Sequence, residues 1–152
     1  MPRHKDDVVR AIKLAAMDYY ILEPVIPEMF RWLRTFKSPI ADVFIEFFTR
    51  NAFIAAEDVG KMLSISKQEH LKYTIVTQVL PEWPASALVV VKSPLSMLVT
   101  HSGAPETALM TLRLLAMRDL TDKEWLKNWL SFLTERMERN LTEARQIAEL
   151  YF

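Results

Sequence analysis

From residue 121 onward the chain places apolar residues with a helical beat. Leu126, Leu130, Leu133, Met137, Leu141, Ala144, Ala148 and Tyr151 recur in steps of four and three, which keeps one stripe on one helix face. Thr121 followed by Glu124 has the form of a capping box, and Leu120 is placed to close over Trp125 as a hydrophobic staple. No glycine or proline follows Pro105. The pattern therefore predicts a C-terminal helix over 122–150, a single rod of about 43 Å at 1.5 Å per residue unless it breaks at Asn140.

Upstream, Val8, Val9, Ile12, Ala16, Tyr19 and Tyr20 predict a helix over 6–22, ended by Pro24. Pro27 suits a first helical position, and Met29, Phe30, Leu33 and Phe36 line a short helix after it. Ser38-Pro39 opens a third, with Ile40, Val43, Phe44, Phe47, Phe48, Ala55, Val59 and Met62 inward and weak points at Asn51 and Gly60. Ser66 with Glu69 forms a second capping-box pattern that starts a helix to Leu80, although Tyr73–Val79 is rich in strand-favouring residues. Residues 81–84 read as a turn, and 87–91 as a short buried strand or one helical turn. Ser93-Pro94 begins a segment that Gly103 is placed to terminate as a left-handed cap, and Pro105 starts a helix to about Met117. The expected fold is all-α: a bundle of six to seven helices with proline-punctuated joints and a long last helix, with a short strand near 87–91 as the one alternative.

Composition narrows the class. At 152 residues the chain fits one domain, 1–152, able to bury about two thirds of its unfolded surface without staples. It has no cysteine, which excludes disulfides, thiolate metal sites and a cysteine nucleophile. Nineteen basic residues balance nineteen acidic ones, which argues against a polybasic condensing protein but leaves room for local basic faces. Its longest apolar runs fall far short of the roughly 20 residues that span a bilayer. The N-terminus lacks the apolar stretch of a secretory signal, so the expected location is intracellular, or within a particle assembled there.

Little in the sequence carries chemistry. Val59–Tyr73 resembles the helix-turn-helix of DNA-binding regulators, with Gly60, Ser64 and His70 at the small, turn and buried positions of that motif. Ser64 stands where glycine is preferred and His70 where an aliphatic residue is. The resemblance implies that Lys67, Gln68 and Lys72 face DNA. Arg31, Arg34 and Lys37 recur every third residue, with no acid between Glu28 and Asp42, and guanidinium groups so spaced suit successive phosphates. Arg3, Lys5, Arg10 and Lys13 are placed to extend that nucleic-acid surface. His4, His70 and His101 lack a second ligand at metal-like spacing, and Thr100-His101 lacks an orienting acid, so neither a metal, a cofactor nor a catalytic residue is assigned. Trp125 and Trp129, one turn apart on the last helix, widen its apolar face and are the candidate interface residues.

These features point to a non-enzymatic assembly protein, a small helical subunit that packs against copies of itself or against other protein subunits, with nucleic acid as a candidate partner. Small subunits of nucleoprotein complexes and helical virus coats share this general character, an analogy at the level of fold class alone. The alternative is a helix-turn-helix regulator reading DNA through 59–73 and dimerising through the C-terminal helix. A small helical enzyme ranks last, since no residues can be named for it.

Overall fold

The structure, a computed structural model, describes residues 1–34, 38–65, 67–101 and 103–151. Helices follow one another along all of these: α1 (Val8–Ala15), α2 (Tyr19–Leu22), α3 (Ile26–Trp32), α4 (Pro39–Arg50), α5 (Ala52–Ile65), α6 (Glu69–Thr74), α7 (Ala85–Val90), α8 (Lys92–His101), α9 (Pro105–Met117) and α10 (Lys123–Tyr151). No strand forms among the described residues, so the fold is all-α and 87–91 is helical.

The helices are shorter and more numerous than the six to seven expected, because side chains cut them where periodicity alone runs through. The helix expected over 6–22 stops at Ala16, and the Asp18 carboxylate accepts the Tyr20 amide at 2.9 Å to start α2. Pro24 does not end the run; it sits in a tight 3-10 turn, Glu23–Val25, that hands α2 to α3. The break between α4 and α5 falls at Asn51, whose side-chain amide donates to the Phe47 carbonyl at 2.8 Å. Gly60 leaves α5 intact. It faces the Val91 and Pro94 side chains, where an added Cβ would sit 3.7 Å from each.

The strand-like run after Tyr73 is helical but widened. Ile75–Val79 forms a π-helical turn, flanked by the 3-10 turn Leu80–Glu82. Thr74 and Thr77 donate back to the carbonyls four residues earlier, and Ile75, Val76 and Val79 are buried. Crowded β-branched side chains that loosen a helix are here held by the core around them. The turn after it inserts Trp83 completely: its indole N–H donates to the Phe48 carbonyl at 3.1 Å, meeting the last turn of α4 inside the core.

Contacts step from one end of the molecule to the other. α4 lies against α1 and α3 and meets the wide turn; α5 packs on α7 and α8; α8 packs on α9; and α9 carries α6, the wide turn and α10. One cluster of buried apolar side chains runs through all of this, from Ala11 to Leu133, with Phe30 stacked on Phe48 at 4.2 Å between ring centres. Tyr19 stacks on Phe47 and donates its hydroxyl to Asp58 at 2.7 Å; burial first, then the Asp58 carboxylate, push its pKa up.

Helix α9 ends in a full Schellman turn. Leu120 N–H reaches back to the Leu115 carbonyl at 3.0 Å and Asp119 N–H to that of Ala116 at 3.3 Å. Asp119 takes the left-handed position, φ 51°, that glycine usually fills. Gly103, the expected left-handed cap, has no positive φ.

Candidate interaction surface

Helix α10 starts one residue later than its sequence suggests. The Asp122 carboxylate, not the Thr121 hydroxyl, accepts the Trp125 amide at 2.9 Å, which makes Asp122 the cap of a helix beginning at Lys123. From there it runs unbroken through Asn140 to Tyr151, 29 residues.

Its first three turns lie on the domain. Leu133 is buried, and Trp125, Leu126 and Trp129 are half-buried against the core. Both tryptophans pack against the core of their own chain; their rings lie 6.1 Å apart, and those of Trp129 and Phe132 meet in a T-shape at 5.4 Å. Among the described residues of the helix, Leu133 is the only buried one. Leu130 and Met137, expected in the core with it, are 48 % and 40 % exposed: Leu130 borders an open groove beside α9, and Met137 lies beyond the last buried residue of the helix.

Beyond Leu133 the rod continues for about 27 Å at 1.5 Å per residue. Met137, Leu141, Ile147, Leu150 and Tyr151 are all exposed on it. Where α10 passes α9, Leu126 and Leu130 form one wall of an apolar groove of about 430 Å³ whose other wall is Leu109, Met110, Leu112 and Ala116. Farther out, Met137 and Leu141 face Tyr73, Leu109 and Pro105 across a wider, open groove of about 1080 Å³ that Glu69, Glu106 and Glu138 border. The apolar stripe and both grooves thus follow one another along a single helix.

The basic residues are placed differently. Arg31 and Arg34 are exposed on and just after α3, but Arg31 pairs with Glu28 at 2.7 Å, the acid at the edge of the acid-free run. Arg34 bends its Nε onto the Arg31 carbonyl at 3.1 Å. Lys37 lies outside the described residues. Arg3, Lys5 and Lys13 are exposed around α1, while Arg10 is engaged by Asp7 at 3.4 Å. Partial desolvation opposes ionisation of Asp7, but hydrogen bonds from Arg3 and Arg10 together with the Arg10 charge outweigh it and hold the carboxyl below the usual range.

The segment that resembles a helix-turn-helix is built otherwise. α5 and α6 do not lie on one another as a packed pair; α5 lies on α7 and α8, α6 on α9. Ser66, the first half of the expected capping box, lies outside the described residues. Lys67 and Gln68 are exposed before α6, and Lys72 is bridged to Glu69 at 3.3 Å with its side chain only 12 % exposed. Ser64 donates to the Gly60 carbonyl at 3.0 Å, so it extends α5 where the motif needs a turn. Thr100 and His101 do share a hydrogen bond, 2.6 Å between hydroxyl and Nδ1, on an exposed helix end where no carboxylate among the described residues orients the ring.

No helix among the described residues is long and apolar enough to cross a membrane. Residues 1–111 match the model of a protein family described as a domain of unknown function, DUF5071. The match ends within α9, so α10 lies outside it. No curated protein and no solved structure matches the chain.

Proposed function

The chain belongs to the DUF5071 family through its helical body, and we propose that this body serves as a small assembly subunit whose α10 is the arm that joins it to other chains. One observation carries the reading: a 29-residue helix with a continuous apolar stripe buries a single side chain in its own domain, among the described residues. A helix standing free in water is marginal at about 12 to 15 residues even in a favourable sequence. The outer part of α10, 18 residues over 134–151, is only a little longer than that and carries exposed leucine, isoleucine and tyrosine, a surface that partners cover in assembled proteins.

The role is structural rather than catalytic. The smaller groove beside α10 is apolar, and the wider one sets the exposed Met137 and Leu141 beside carboxylates and His70, surfaces that this reading assigns to a partner chain. Nucleic acid as a further partner rests on Arg3, Lys5, Lys13, Arg31 and Arg34, which are exposed, and on Arg10 and Arg31 exchanging their acidic partners for phosphate.

Sedimentation of the full chain tests the reading. An oligomer is expected at micromolar concentration, and Leu141→Glu with Ile147→Glu should convert it to monomer with no change in the unfolding of the body. A chain that stays monomeric at hundreds of micromolar would overturn it.

A further inference from the structure

Resting on the reading that α10 joins chains, we propose that its occupant is a second copy of α10, laid antiparallel about Asn140. The stripe itself sets the direction. Its inner half carries Leu130 and Met137, Leu141 lies at the centre, and its outer half carries the small Ala144 and Ala148 before Tyr151. Antiparallel pairing about residue 140 brings Met137 within one residue of Ala144 of the partner subunit, so large meets small there, while Leu130 comes level with the last turn of the partner helix. A parallel pair stacks alanine on alanine and leaves the helices too far apart there for contact.

The edges of the stripe agree. Arg136 and Glu143 lie seven residues apart on one edge, Glu138 and Arg145 seven apart on the other. None of these four forms an ion pair within its own chain among the described residues. In antiparallel helices like edges face each other. Arg136 then meets Glu143 of the partner subunit, and Glu138 meets Arg145 of the partner subunit, twice each by symmetry. Charge by itself also accepts a parallel pair, where Arg136 approaches Glu138 of the partner subunit; size decides against it.

The groove beside Leu126 and Leu130 gives the third argument. About Asn140, residue 150 of one helix is level with residue 130 of the other, so the exposed Tyr151, which lies on the stripe, arrives at the apolar groove walled by Leu109, Met110 and Ala116. An arm that reaches the other subunit's body covers apolar surface at both ends. In a parallel pair both grooves stay open.

Charge exchange tests the arrangement on the full chain. Arg136→Glu alone and Glu143→Arg alone each place like charges opposite twice, and each should weaken self-association about tenfold at low salt, from ion pairs worth up to about 1 kcal/mol apiece. Carrying both substitutions in one chain restores the pairing of carboxylate with guanidinium and should return association to within about threefold of the parent. Mixing the two single variants should give the heterodimer in excess. In a parallel pair the double variant instead sets the introduced carboxylate at position 136 against Glu138, and the introduced guanidinium at position 143 against Arg145, and stays weak. A weak double variant therefore overturns the antiparallel inference, while loss of association in Leu141→Glu/Ile147→Glu still upholds α10 as the arm. Ala148→Cys gives an independent readout, since the chain has no other cysteine. Antiparallel helices hold the two sulfurs roughly 24 Å apart along the axis and no disulfide forms, whereas ready cross-linking overturns the proposal. A parent that is monomeric at hundreds of micromolar overturns this inference and the reading beneath it together.

Discussion

Two amphipathic helices of this chain, α4 and α10, meet opposite fates. In twelve residues α4 buries Ile40, Ala41, Phe44, Phe47 and Phe48, with α1 and α3 against it and the wide turn across it. In 29 residues α10 buries Leu133 alone among those described. Both carry an apolar stripe at helical spacing, and both start from a side-chain cap, Ser38 in one and Asp122 in the other. Periodicity reports that a face seeks cover; it does not report what covers it. For α4 the cover comes from the same chain. For α10, in the proposed assembly, it comes from another.

Phe48→Ala should cost about 3–5 kcal/mol, because the ring is fully enclosed, stacked on Phe30 and edge-on to Phe47. Chemical denaturation of the full chain measures it, and a loss under about 1 kcal/mol would mean that the core around α4 is looser than described.

Two leucines one turn apart on α10 differ in the same way. Leu133→Ala should cost about 2–5 kcal/mol, while Leu130→Ala, nearly half exposed, should cost well under about 2 kcal/mol in dilute monomer and act instead on association. Equal losses at both positions in dilute solution would show that α10 lies flat on the body.

The cap of α10 comes next. Asp122→Ala should destabilise by about 1 kcal/mol and Thr121→Ala by much less, since only the carboxylate accepts the Trp125 amide. The reverse order in thermal unfolding would return the cap to Thr121.

The smallest effect expected is at the basic strip. Replacing Arg31, Arg34 and Lys37 by Gln should leave the fold intact. If these side chains hold a nucleic-acid backbone, the salt slope of binding should fall by about 0.9 for each duplex phosphate no longer neutralised, alike for every sequence. Equal binding by variant and parent removes the strip as a binding surface.

Much of this was legible in the residues and some of it was not. Pro39 after Ser38, Pro105, and the glycine-free run to the C-terminus mark the starts of α4 and α9 and the long helical stretch of α10. The cap of α10 lies one residue beyond the one that the pattern selects, because Thr121 and Asp122 are both good caps and only the backbone path after Asp119 chooses between them. The breaks at Asp18 and Asn51 carry a signal, a short polar side chain able to bond the backbone, but such residues also sit quietly on helix surfaces. Of the candidate site residues, the tryptophans lie on the expected helix but on its inward flank. The grooves that border the stripe could not be read at all, since their far walls come from α6 and α9.

Residue pattern was enough for a mostly helical class and a long C-terminal helical stretch, but not for the continuity of that stretch through Asn140 or the helical state of 87–91. Helix formation is local: caps, prolines and a 3.6-residue beat act within a few turns and need no knowledge of the rest of the chain. The assembled core, and no local signal, makes Trp83 the plug on the end of α4, widens Ile75–Val79 into a π turn where a strand was an alternative, and leaves the stripe on α10 longer than the body beneath it. Those depend on which surfaces arrive opposite one another from residues tens of positions apart, and burial is a property of that meeting rather than of any one segment.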